Sequence, residues 1–318
     1  MRLPLVLLLL VAAIAHLLLP FGPLREAQAM DPGLADMILT ELRLPRTLLV
    51  LGYGAVLGIS GTALQAIFAN PLASPDISGA SSGAALGAVL GGYWLGLTQP
   101  LVLAACGAAG ALGTLLLLVS LAGRRPDTST LLLAGLAISL AAGAATSLAL
   151  ALAPSPFAFY DAYDWLMGNF ADRSLVQAAA ALVPASLAAI LLLRRARAID
   201  LTALGEDVAS SLGLKPRRLA MEVVALSAVA VGACVSVAGA IGFVGLVAPV
   251  FGRQLTRGHP GRAMIPAAAI GAILLAMADM IVRAIPLDRP IPVGVVTALF
   301  GTPLFLWLVL TMRRRVTA

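Results

Sequence analysis

Charge is scarce in this chain. Of its 318 residues only 11% are charged, against about 25% in an ordinary soluble domain, too few to solvate the surface of a water-soluble fold. Aromatic residues make up 5%, and there are two cysteines, two histidines and a single lysine. Each shortage excludes something. Cys106 and Cys234 both lie in apolar stretches, so neither a disulfide framework nor a metal pair is indicated, and both read as packing residues. His16 and His259 have no partner at metal-ligand spacing, and no HExxH occurs; no metal site, cofactor or catalytic residue is expected. Lys215 sits in Leu214-Lys215-Pro216, which is no GxxxxGKS or GxxxxGKT phosphate loop. If ATP drives this protein, another chain hydrolyses it.

Apolar residues dominate instead, at 60%, with a mean hydropathy of +1.00. That excludes disorder, a nucleic-acid module and a secreted enzyme, and leaves an all-α integral membrane protein. Runs of about 20 apolar residues suffice to cross about 30 Å of hydrocarbon as helix. They recur at Leu3 to Phe21, Leu44 to Phe68, Ile77 to Leu97, Leu101 to Leu121, Leu131 to Leu152, Leu175 to Leu193, Ala263 to Ile285 and Ile291 to Thr311. The stretch Leu219 to Gly252 would be about 50 Å long as one helix, and Gly239, Gly242 and Gly245 permit a break within it.

Charge decides whether that stretch counts once or twice. With two elements there, and hence ten spans, the outer side holds Arg25, Arg43, Arg46, Arg173, Arg283 and Arg289, six of the 21 cations, and the cytoplasmic side the other fifteen. With nine spans the split is 11 to 10. The positive-inside bias selects ten, with both termini in the cytoplasm. Ala27-Gln28-Ala29 resembles a cleavage site, but the first apolar run is too long for a signal peptide and ends well before it, so the first span is expected to be retained. Gly79, Gly83, Gly87 and Gly91 mark one small-residue face on the third span, and Gly107, Gly110 and Gly113 another on the fourth. Such faces let helix backbones approach closely in lipid.

Several segments are more specific than a generic membrane helix. They are Leu42-Arg43-Leu44-Pro45-Arg46, Gly58-Ile59-Ser60-Gly61-Thr62-Ala63-Leu64-Gln65, Asn70-Pro71-Leu72-Ala73-Ser74-Pro75 and Leu204-Gly205-Glu206-Asp207-Val208-Ala209-Ser210-Ser211-Leu212-Gly213. Further on come Gly239-Ala240-Ile241-Gly242-Phe243-Val244-Gly245-Leu246-Val247-Ala248-Pro249, Ala278-Asp279-Met280-Ile281-Val282-Arg283 and Pro292 to Pro303. Together, and in this order from about residue 40 to the end, they resemble the FecCD-type permeases of ABC importers for iron chelates (ferric siderophores and haem) and vitamin B12. Two departures stand out. The family usually has His where this chain has Val250, and Glu-Leu-Pro where it has Pro290-Ile291-Pro292.

The resemblance implies one transmembrane permease domain over residues 1–318 with a cytoplasmic coupling loop at about 199–218. It implies a multi-pass protein of the bacterial inner membrane, in contact with lipid and not with nucleic acid. Its partners would be a second copy, two ATP-binding cassette subunits and a periplasmic substrate-binding protein. Arg43, Arg46 and Arg283, at outer span ends, would dock acidic residues of the binding protein; the plain physical alternative is snorkelling to lipid headgroups. Leu204, Gly205, Glu206, Asp207, Ala209, Ser210, Leu212 and Gly213 would couple to the ATPase, two glycines bracketing about two helical turns; the alternative is a solvated charged loop. Asn70, Leu72, Thr128 and Ser129 would form an inner gate, or serve only as a helix stop and an N-cap.

Intramembrane ionisable groups are nearly absent. Asp279 and His16 come nearest, and pairing of Asp279 with Arg283 at i,i+4 accounts for the first. Ion-coupled carriers bind their cation mid-membrane on such groups, so an ATP-driven path with smooth walls is expected. Tyr160, Asp161, Tyr163, Asp164 and Trp165 to Gly168 lie in the outer loop before the sixth span, as an aromatic belt or as a contact for binding protein or cargo. Among cargoes a ferric siderophore leads, with haem and vitamin B12 behind it.

Overall fold

The structure is a computed structural model that describes residues 2–97, 99–122, 128–153, 156–285 and 291–316. All regular structure in those residues is helical. The chain opens with α1 (Arg2–Leu18), α2 (Phe21–Met30), α3 (Pro32–Met37), α4 (Leu44–Ile67), α5 (Ala80–Val89), α6 (Pro100–Ala122) and α7 (Thr128–Ala151). It continues with α8 (Pro156–Leu166), α9 (Leu175–Arg194), α10 (Ala196–Thr202), α11 (Glu206–Ser211), α12 (Pro216–Ala238), α13 (Val244–Leu255), α14 (Pro260–Ala284) and α15 (Val293–Val316). Proline opens α12 and α14 at the first turn, where its missing N–H costs nothing. Ser174 starts α9 with a reciprocal capping box to Gln177, satisfying two otherwise orphaned donors.

Among the described residues six helices are long and apolar enough to cross a membrane, and the pair α1–α2, bent by 48°, brings the number to seven if it counts as one span. Shorter apolar helices over Ala80–Gly92, Val244–Leu255 and Val293–Leu304 complete the ten apolar elements expected, with three adjustments. The first span ends at Leu18, three residues short of Phe21, and the chain turns there into α2. The third does not start at Ile77: a tight turn over Pro75–Ser78 precedes α5. The stretch at 219–252 breaks between Ala238 and Val244, so α13 has only 12 residues. Tyr160 to Leu166 belong to α8, a helix where the sequence suggested a loop.

α4 is the axis of the bundle. Buried residues make up 78% of its apolar window, against 28% for α6 and for α7, which places α6 and α7 at the periphery of this chain. α14 lies antiparallel on α4 in the most extensive helix contact of the fold. A Cβ on Gly54 would stand 2.4 Å from the Gly271 carbonyl oxygen, and one on Gly58 2.1 Å from that of Ala267. Only glycine admits such an approach, and dispersion across it replaces the hydrophobic drive that lipid cannot supply. Gly83 and Gly87 of α5 meet Gly110 and Cys106 of α6 in the same way. Gly113 does not join that face: nothing lies within 4 Å of its would-be Cβ.

The break after α12 is non-helical backbone whose polar groups need partners elsewhere in the protein. Gly239 there has φ 78, and a Cβ would meet the Trp165 carbonyl oxygen at 1.9 Å. Neighbouring segments take up its backbone groups. Tyr53 Oη donates to Gly239 O at 3.2 Å, and Asn169 N to Ala238 O at 2.8 Å. Val293 N and Gly294 N reach Gly168 O and Met167 O at 3.0 and 2.9 Å, so residues 167–169, 238–239 and 293–294 form one seam.

Candidate functional site

The C-terminal ends of α1 and α14 and the N-terminal end of α4 converge on one buried carboxylate. Arg46, one turn into α4, faces Asp279 and binds it with two parallel bonds, Nε to Oδ2 at 2.9 Å and Nη2 to Oδ1 at 2.8 Å, a planar fork that lysine cannot reproduce. Arg283 Nε is an ion-pair partner of the same Oδ2 at 3.2 Å, while its Nη2 donates to the His16 carbonyl at 2.8 Å. Arg43 Nη1 donates to Leu17 O at 3.2 Å and Leu18 O at 2.5 Å, and its Nη2 to Pro20 O at 2.7 Å. These are carbonyls at the end of α1, which has no intrahelical donors left for them.

Two of the three arginines therefore share one acid and the third caps α1, and snorkelling to headgroups is not their arrangement here. Arg43 is buried, and the side chains of Arg46 and Arg283 are 18% and 12% exposed. What they keep open is a cavity of about 310 Å³ lined by Pro20, Ile38, Leu42, Arg43, Arg46, Asp172 and Arg283. Arg46 and Arg283 also border a smaller one of about 110 Å³ with Asp164, Asn169 and Pro292.

The i,i+4 partner Arg283 explains Asp279 only in part. Two further partners, Arg46 and His16, come from helices remote in sequence. His16 is fully buried, with Nδ1 2.8 Å from Thr47 Oγ1 and Nε2 2.9 Å from Asp279 Oδ2. Its role was not legible in the sequence, because no local spacing ties position 16 to 47 or 279.

On the opposite side, the loop between α9 and α12 is folded. α10 precedes α11, and Asp200 Oδ1 pins α10 to the start of α14 by accepting from Gly261 N at 2.7 Å. Gly205 and Gly213 bracket α11 as expected, with φ 95 and 83. Leu204, Val208 and Leu212, spaced four apart, are 56%, 48% and 60% exposed, whereas Ala209 is buried. The first three leave apolar side chains bare on an otherwise polar loop. Ala209 anchors the helix from beneath. Val208, not among the coupling residues expected from the sequence, is exposed beside Leu204 and Leu212. The side chain of Glu206 lies outside the described ones; Asp207 accepts from Ser211 Oγ through its carbonyl at 2.9 Å.

Asn70 Oδ1 accepts from Leu72 N at 2.9 Å, a side-chain turn that stops α4, and Leu72 is exposed. Thr128 opens α7 and Ser129 follows it; the Thr128 side chain lies outside the described ones. Beyond Leu72 the chain folds back into the bundle, where Pro75 packs on Gly245 and Asp76 O accepts from Ser139 Oγ at 2.8 Å. Gln65 Nε2 donates to Leu246 O at 3.2 Å, tying α4 to α13. The Pro290 departure lies outside the described residues. Val250 follows Pro249 inside α13.

The FecCD transport family model matches residues 3–311. The chain belongs to the FecCD transport family. The permease is 40% identical over 292 residues to the vitamin B12 import system permease protein BtuC of Citrobacter koseri, covering 88% of this chain and 84% of that one. It is 39% identical to the protein of the same name from Shigella boydii, covering 88% and 85%. A metal-chelate type ABC transporter solved in an inward-facing conformation superposes with a TM-score of 0.84 at 31% identity, covering 97% of the permease and 98% of that chain. PsaBC from Streptococcus pneumoniae, at TM-score 0.51 and 17% identity over 85% and 92%, shares the fold alone. The permease is thus a multi-pass transport subunit of ABC permease type.

Proposed function

We propose that the permease is the membrane pathway of an ABC importer, and that its cargo is a corrinoid, vitamin B12. The carrying observation is where its ionised groups lie. Arg46 and Arg283 share one buried acid at the outer face, exposed Leu204, Val208 and Leu212 stand on a polar loop at the inner one, and α4 between them buries only uncharged residues from Thr47 to Gln65. Among the described residues this axial helix offers no ionisable group to couple to an ion gradient, which disfavours a secondary carrier. Energy would enter as closure of two ATPase subunits beneath α11, through the row Leu204, Val208 and Leu212. Two copies of the chain would enclose the path in the inner membrane, both termini cytoplasmic. Arg43, Arg46 and Arg283 would receive carboxylates of a periplasmic binding protein, and Asn70, Leu72, Thr128 and Ser129 would close the inner end between cycles.

The relatives reverse the order of cargo suggested by the sequence: two are named for vitamin B12, and a siderophore becomes the second reading, kept by the metal-chelate type of the superposed structure. Uptake of labelled cyanocobalamin, a ferric siderophore and haem, side by side in cells with and without the gene, tests this. Loss of cyanocobalamin uptake alone is expected. Loss confined to an iron chelate would replace the cargo and leave the architecture. Uptake that persists without ATP but collapses with the ion gradient would refute the importer.

A further inference from the structure

We propose that His16 is a positioning residue of the outer arginine cluster: its ring sets the carboxylate of Asp279, and through it the presentation of Arg46 and Arg283 to the outer cavity. The inference rests on the reading of that cluster as a docking site and adds the element that shapes it.

A fully buried imidazole in an otherwise apolar helix is costly unless both nitrogens are satisfied. Leucine at position 16 would serve packing better. Here the two ring nitrogens reach two different helices, Thr47 on α4 and Asp279 on α14, at 2.8 and 2.9 Å. A carboxylate can only accept, so Nε2 carries a proton and donates it to Oδ2. The Thr47 hydroxyl, donor and acceptor at once, can satisfy Nδ1 in either role. The surrounding bonds thus assign a proton to Nε2.

The consequence falls on the arginines. Asp279 Oδ2 is shared by His16 Nε2, Arg46 Nε and Arg283 Nε, while Oδ1 takes Arg46 Nη2. A carboxylate free to turn could be drawn wholly to either guanidinium. Held by the imidazole, it stays in the plane of Arg46, and Arg283 is left to reach it with one nitrogen only. That contact is an ion pair without a hydrogen bond, and Arg283 Nη2 instead donates to the main-chain oxygen of His16 itself. The same residue therefore orients Arg283 by its carbonyl and Arg46 through Asp279. Neither arginine spends Nη1 in these bonds, and both line the open outer cavity. Arg43 is oriented otherwise, by the carbonyls of Leu17, Leu18 and Pro20, which makes it an internal control.

The test is the rate at which phenylglyoxal, an arginine-selective dicarbonyl, modifies each arginine of the full-length permease in lipid nanodiscs, resolved by peptide mass spectrometry. His16→Leu should raise the rates at Arg46 and Arg283 several-fold and leave Arg43 unchanged. His16→Gln, whose amide nitrogen can donate where Nε2 does, should stay near wild type. Unchanged rates in His16→Leu would overturn the proposal. So would a common rise at all three arginines, which would mean that α1 has merely come loose, and so would His16→Gln behaving like His16→Leu. Should His16→Leu not fold, ¹⁵N-histidine spectra of the unaltered protein decide, with the signal assigned by its loss in His16→Gln. A ring protonated at Nε2 supports the assignment, and one protonated at Nδ1 alone refutes it. The docking reading fails independently, if Arg46→Lys leaves uptake untouched, an outcome that does not depend on the modification rates.

Discussion

Arg46 and Asp279 pair across the α4–α14 seam with two parallel bonds of 2.9 and 2.8 Å, in register with the backbone contacts of Gly54 with Gly271 and Gly58 with Ala267 deeper in the same seam. The close approach of the helices is what brings this pair together, and the pair closes the seam at its outer end.

Removing the acid alone should be severe. Asp279→Ala leaves Arg46 and Arg283 without a counter-ion in a mostly buried place, a situation that costs about 3–5 kcal/mol. A lower unfolding temperature of the purified permease in nanodiscs is expected, partly regained in Asp279→Ala with Arg46→Ala, where both charges go together. A wild-type melting curve for Asp279→Ala would contradict the pairing.

For the docking role lysine is the informative replacement, because alanine at Arg46 would strand the buried acid and confuse folding with function. Arg43→Lys, Arg46→Lys and Arg283→Lys keep the charge and lose the fork. Each should leave membrane levels normal and weaken uptake at limiting binding protein by about tenfold, the scale of one charge-assisted hydrogen bond of ~1.5–3 kcal/mol. Normal uptake with all three replaced would dismiss the role.

The seam itself tolerates no side chain. Gly58→Val should abolish accumulation of folded permease, since its Cβ would enter the Ala267 carbonyl, 2.1 Å away; overpacking of even milder kind costs about 1–3 kcal/mol. Gly113→Ala, with open space around it, should accumulate normally. Detergent-resistant fluorescence of a tagged protein reads both.

At the inner face, Val208→Asp places a charge in the exposed apolar row of α11 without touching the core. The expected result is a folded permease that no longer retains its ATPase subunit on purification and no longer imports. Undisturbed co-purification would remove α11 from the coupling surface. Gly213→Val should act separately, through the strain of a branched side chain at φ 83, at about 1–2 kcal/mol.

Much of this was legible from residues 1 to 318 alone. Membrane residence and the ten apolar elements follow from the composition and from the run lengths, because hydrocarbon thickness sets a helix length that any reader can count. The break in the 219–252 stretch follows from its length and its glycines, and the helix between Gly205 and Gly213 from two residues that tolerate positive φ. Local rules suffice where the cause is local. They failed at the ends of that break and at Ile77, where the length of α13 and the late start of α5 depend on what packs alongside: Pro75 against Gly245, and Gly239 against Trp165.

The sequence by itself determined that this chain lives in a membrane and which arginines stand at the ends of its spans. Only the tertiary structure decided what those arginines do within the chain. Arg43 caps α1, and Arg46, Arg283 and His16 share Asp279, across separations of up to 263 residues. The physical reason is that a buried charge is satisfied by whatever donor the packing of helices brings within 3 Å. That packing is governed here by glycine contacts along α4 and α14; the four-residue spacing of Gly54 and Gly58, and of Ala267 and Gly271, marks a close-packing face on each helix but not which helix it meets.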